Sequence, residues 1–81
     1  MNDPFTSYET GLERLLERLG SDHPRYADAL TLEAQLRENI GQTRLDGDSE
    51  NRRADRNRIL RQLNHLALET VGASFNRLIA Q

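Results

Sequence analysis

Apolar residues recur with a helical period in three stretches of the chain. Tyr8, Leu12, Leu15, Leu16 and Leu19 fall at i, i+4, i+7, i+8 and i+11, one flank of a 3.6-residue repeat. Thr6 or Ser7 is the expected N-cap, because a hydroxyl there can accept a bond from a first-turn N–H. Gly20 is the expected stop. A second stripe holds Tyr26, Ala29, Leu30, Leu32, Leu36 and Ile40, about 160° wide at 100° per residue. Asp22 or His23 is its expected cap, with Pro24 in the first turn, where a missing N–H costs nothing. Glu33 and Arg37 stand four apart in the order that favours a local ion pair. Gly41 costs roughly 1 kcal/mol relative to Ala in a helix and marks a weak point.

The third stripe is Ile59, Leu63, Leu66, Ala67 and Thr70, flanked by Leu60 and Val71. Its 4-3-4 spacing is that of helices packed side by side. Asp46-Gly47-Asp48 reads as the preceding turn, Ser49 as the cap and Gly72 as the stop. After it, Ser74 can cap a stub bearing Phe75, Leu78 and Ile79. These patterns predict helices over about 7–19, 24–45, 49–71 and 74–80. No stretch alternates as a strand does. The expected fold is all-α: an antiparallel three-helix bundle with a short fourth C-terminal helix, residues 1–81 forming one domain. An apolar turn this close to the last residue reads as a domain cut from a larger protein.

At 81 residues, a lone core gives only about 3–5 kcal/mol of net stability. The chain has no Cys, so neither disulfides nor thiolate ligands can add to it. No run approaches the roughly 20 apolar residues that span a bilayer. Met1-Asn2-Asp3-Pro4 lacks the basic-then-apolar pattern of a signal peptide. The expected location is the cytoplasm.

Charged residues make up 30% of the chain, yet the net charge is −2, a balance that argues against a polyelectrolyte and against general nucleic-acid binding. The charge is unevenly spread. Residues 1–48 hold ten acids against five Arg, a net of −5, and residues 49–81 hold three acids against six Arg, a net of +3. All eleven basic residues are Arg, whose planar fork of donors suits carboxylates at an interface.

Candidate chemistry is sparse. His23 lies in a turn, and His65 lies opposite the Ile59/Leu63/Leu66 face; capping and solvation are the expected roles. No metal-binding His pair, phosphate loop or nucleophile elbow occurs. Asp46, Asp48 and Glu50 surround Gly47, but the position twelve from Asp46, where a calcium loop needs a bidentate Glu, is Asn57. The chain is therefore expected not to be an enzyme and to need no cofactor.

Two charged rows remain as a candidate interaction surface. Glu9, Glu13 and Glu17 recur at i, i+4 and i+8, a solvated face or a patch for a basic partner. Arg52, Arg53, Arg56, Arg58 and Arg61 oppose only Asp55 over the first turns of helix three. They are expected either to form a solvent-exposed extension paired with Asp46 and Asp48, or to dock a partner. Without an aromatic nearby to stack bases, the row favours protein over nucleic acid. Without bulky apolar residues opposite, it does not favour a membrane.

The run Tyr8-Glu9-x-x-Leu12-Glu13-Arg14-Leu15-Leu16-Glu17-Arg18-Leu19-Gly20 resembles a short helical module, as do Asp22-His23-Pro24-Arg25-Tyr26 and the segment from Leu63 to Phe75. Such effector-associated or adaptor domains, some described as Death-like, stand at the N-termini of bacterial conflict and signalling proteins. They precede NACHT-type or other STAND ATPase domains, caspase-like peptidases or TIR domains. The resemblance implies a non-enzymatic module that recruits or oligomerises immune effector partners. A Death fold packs six helices and this chain has room for three and a stub, so the adaptor role carries over and the six-helix topology does not. Two other functions compete with it: a structural bundle or obligate dimer, motivated by the breadth of the Leu32/Leu36 stripe, and a small nucleic-acid-binding regulator.

Overall fold

A computed structural model describes residues 5–80. The N-terminal tetrapeptide weighed above as a signal sequence lies outside the described residues. Four helices follow in order: α1 (Thr6–Leu19), α2 (Tyr26–Asp46), α3 (Glu50–Val71) and α4 (Phe75–Ala80). The chain is all-α, with no strand among the described residues. Three long helices pack on one another, and the short α4 lies against α1 and α3.

Most ends form where the capping chemistry points. Ser49 Oγ accepts the Arg52 N–H at 3.1 Å, and Ser74 Oγ accepts the Arg77 N–H at 3.2 Å. Gly72 ends α3 in the left-handed region, φ 76° and ψ 12°, with its N–H on the Ala67 carbonyl. The entry to α1 differs from expectation. Neither Thr6 nor Ser7 caps it; both lie inside the helix, and Phe5 is the N-cap without a side-chain bond. The Phe5 ring packs against the core, which fixes where the chain turns into the helix. The entry to α2 also differs, beginning at Tyr26 rather than residue 24. Two tight turns precede it, closed by His23 N–H to Gly20 O at 3.1 Å and Tyr26 N–H to His23 O at 3.0 Å. His23 serves those turns, its Nδ1 accepting the Arg25 N–H at 3.0 Å, while Asp22 makes no cap. Gly41 does not interrupt α2, which runs unbroken past it.

The core joins Leu12 and Leu15 of α1, Leu36 and Ile40 of α2, Ile59, Leu63 and Ala67 of α3, and Phe75 and Leu78 of α4. Leu19, Ala29 and Leu66 close its far end. Two expected core members stand outside. Leu30 is exposed because the broad α2 stripe is wider than the arc its neighbours cover, and Thr70 is half-buried, its hydroxyl returned to the Leu66 carbonyl at 2.7 Å. Of the two residues that motivated an obligate dimer, Leu36 is fully covered within one copy and Leu32 is half-covered.

Gly11 lets α4 approach. A Cβ there would lie 2.7 Å from Ile79 Cγ1 and 3.0 Å from the buried Phe75 ring. Both ends of the stub are tied by other helices. Asn64 Oδ1 accepts the Asn76 N–H at 2.9 Å, and Arg14 Nη1 donates to the Leu78 carbonyl at 2.6 Å and to that of Ile79 at 3.3 Å. A six-residue helix has few bonds of its own, so these external partners offset the groups its ends leave open.

Candidate interaction surface

The core rhythm of α3 extends one step further toward its N-terminus than its apolar residues do. Stepping back from Leu63 through Ile59 by three and four residues reaches Arg56, which is 7% exposed. This corrects the reading of Arg56 as part of an exposed arginine row. Its guanidinium meets Asp48 Oδ2 at 3.0 Å, Asn39 Oδ1 at 3.0 Å and Thr43 Oγ1 at 3.3 Å. The Phe5 ring lies 5.0 Å away, in cation–π range. A buried charge is tolerated only when paired and hydrogen-bonded, and here both terminal nitrogens have partners.

Arg52 is likewise occupied, and this too departs from an exposed docking role. Half-buried, it donates to the carbonyls of Gly47 and Gln42 at the end of α2, and its own carbonyl accepts Asn39 Nδ2 at 2.9 Å. A cation there also meets the negative end of the helix dipole. Together Arg52, Arg56, Asn39 and Asp48 lock the α2–α3 turn. Arg53 is exposed and stands 3.8 Å from Asp48. Asp48 thus takes the pairing role expected of the turn acids, whereas Asp46 makes no ion pair among the described residues. The Arg56 guanidinium, with the Ser49 N–H, holds the Asp48 carboxyl below the usual carboxylate range.

The acidic row divides in the same way. Glu9 is half-buried and bonded to Arg44 at 3.1 Å. Glu13 and Glu17 are exposed with no ion pair among the described residues. Arg14, a neighbouring cation, is turned away to the α4 carbonyls.

At the other end of the hairpin, Arg25 joins Asp28 and Glu69, each at 2.8 Å, and His65 meets Glu69 at 2.7 Å. Arg25, then His65, draws the Glu69 carboxyl below its ordinary value. His65 is exposed as expected, whereas His23 bonds within the turn before α2 and does not cap that helix. The Glu33–Arg37 pair forms at 3.4 Å.

Exposed cations remain along the outer flank of α3. Arg58 stands 4.0 Å from Asp55, and Arg61 makes no ion pair among the described residues. Arg58 lines one hollow between α2 and α3 and Arg61 the next, the two meeting at Gln35 to form a groove whose lining includes no α1 or α4 residue. Of the six candidate residues, Glu13 and Glu17 are exposed without an ion pair among the described residues, Arg53 is exposed beside Asp48, and Glu9, Arg52 and Arg56 are engaged within the fold. Among the described residues no group of acids and histidines could hold a metal ion, and no helix is long and apolar enough to cross a membrane.

Protein-family models, characterised proteins and solved structures were all compared with this chain. None matches.

Proposed function

We propose that this chain is a docking module for other proteins, recruiting or oligomerising partners through polar contacts between helices, without catalysis of its own. The observation that carries this reading is the contrast between a closed core and open charges. Leu12, Leu15, Leu36, Leu63 and Phe75 are fully covered within one copy. Glu13 and Glu17 on α1 and Arg61 on α3 stay exposed without an internal ion partner among the described residues. Arg53 and Arg58 are held only at 3.8–4.0 Å.

Rim charges of this kind govern encounter and partner choice, and salt screens them beyond about 8–10 Å at physiological ionic strength. The resemblance to effector-associated adaptor domains, with a cytoplasmic setting among immune effectors, agrees with the reading and stands as part of the proposal. Static light scattering on concentrated protein tests it. Association that weakens steadily as salt rises supports charge-driven docking. Association that is indifferent to salt contradicts it.

A further inference from the structure

Resting on that reading, we infer that the α2/α3 groove is the receptor for α1 of a second copy, in a head-to-tail contact. Length, charge and placement lead there. The groove lining on α2 extends from Asp28 to Gln42, about 21 Å at helical rise, and α1 with 14 residues is also about 21 Å long. Arg58 and Arg61 stand three apart on the α3 wall of the groove. Glu13 and Glu17 stand four apart on the exposed side of α1. Both spacings put neighbouring side chains about 5–6 Å apart, so two carboxylates meet two guanidinium groups.

The groove also carries acids. Glu38 and Asp55 line the end nearer the α2–α3 turn. Either direction of the incoming α1 sets Glu13 and Glu17 against Arg58 and Arg61, so the charges fix the contact and not its polarity. Leu32 and Ile59 give the groove an apolar share. The ligand helix lines no part of its own receptor groove. Each copy therefore offers one of each surface, and the contact propagates rather than closing on a pair.

The test uses the full chain at low salt, with sedimentation velocity as the readout and circular dichroism as the check on folding. The wild type should form a series of species growing with concentration. Glu13→Arg/Glu17→Arg and Arg58→Glu/Arg61→Glu lie on exposed faces; each should stay helical and lose association, by on the order of tenfold or more. Their equimolar mixture should associate again, because each double variant supplies the charge the other needs. A small amount of the α1 variant should shorten wild-type assemblies, since it can occupy an end but not extend it. A wild type that associates unchanged by either reversal would overturn this contact and leave the docking reading intact. A discrete dimer that never grows would overturn the head-to-tail geometry alone. A wild type monomeric at low salt would overturn both this contact and self-association.

Discussion

Replacing Arg56 by Ala removes a buried guanidinium from the junction of three elements: Phe5 at the entry to α1, Asn39 and Thr43 on α2, and Asp48 in the α2–α3 turn. A hydrogen bond to a charged group contributes about 1.5–3 kcal/mol and a neutral one about 1 kcal/mol. Losing the side-chain stem also opens a cavity. The partners soften the cost. Asn39 keeps its bond to the Arg52 carbonyl, Thr43 keeps its bond to the Asn39 carbonyl at 3.0 Å, and Asp48 is 35% exposed and keeps the Ser49 N–H. The net expectation is about 2–4 kcal/mol of destabilisation, below the 3–5 kcal/mol typical of breaking a fully buried pair. For a domain this size that lowers Tm by about 10–25 °C. Arg56→Met keeps most of the volume and adds no unpaired charge, so it should cost less than Arg56→Ala, about 1 kcal/mol. Thermal and urea unfolding followed by circular dichroism measure both. An Ala variant within about 0.5 kcal/mol of wild type, or a Met variant as costly as Ala, would refute the account of Arg56 as a packed and paired core residue.

Three other outcomes follow from local geometry. Gly41→Ala should stabilise by about 0.5–1 kcal/mol, since the position is helical and a Cβ there meets nothing within 4 Å; urea unfolding measures it. Gly11→Ala should destabilise by about 1–2 kcal/mol despite better helix propensity, because its methyl would strike Ile79 and the buried Phe75 ring. Loss of the α4 amide protection in hydrogen exchange before the rest of the bundle would locate the damage. Asp48 and Glu69 both have carboxyls held below their ordinary values by arginine partners. Depressed carboxylates contribute stability above their unfolded values, near pH 4, and lose it as pH falls through the folded ones. The melting temperature should therefore fall as pH drops below about 4, and Asp48→Asn should flatten that dependence.

Four helices and several of their caps, Gly20 among them, were legible in the residues. Ser49, Gly72 and Ser74 are local signals, each acting within its own turn. What escaped depends on partners far along the chain. Arg56 sits at a core step of α3, but an arginine breaks an apolar stripe on paper, and only Asn39, Thr43 and Asp48 arriving around it make burial affordable. Phe5 replaced a hydroxyl cap because its ring had a place to pack. Gly11 is an unremarked helix glycine until α4 arrives against it. For the same reason the candidate surface was half legible. Alternating charge marks a solvated face, but whether each group is spent internally depends on tertiary neighbours, as Arg44 meeting Glu9 and Arg52 meeting the end of α2 illustrate.

The dependence of unfolding on protein concentration at high salt tests most directly whether one copy closes its own core and associates only through charge. With rim charges screened, the midpoint should stay constant over a wide concentration range, as for a self-sufficient monomer. A midpoint that climbs with concentration under those conditions would mean that a second copy completes the apolar core, contradicting the account.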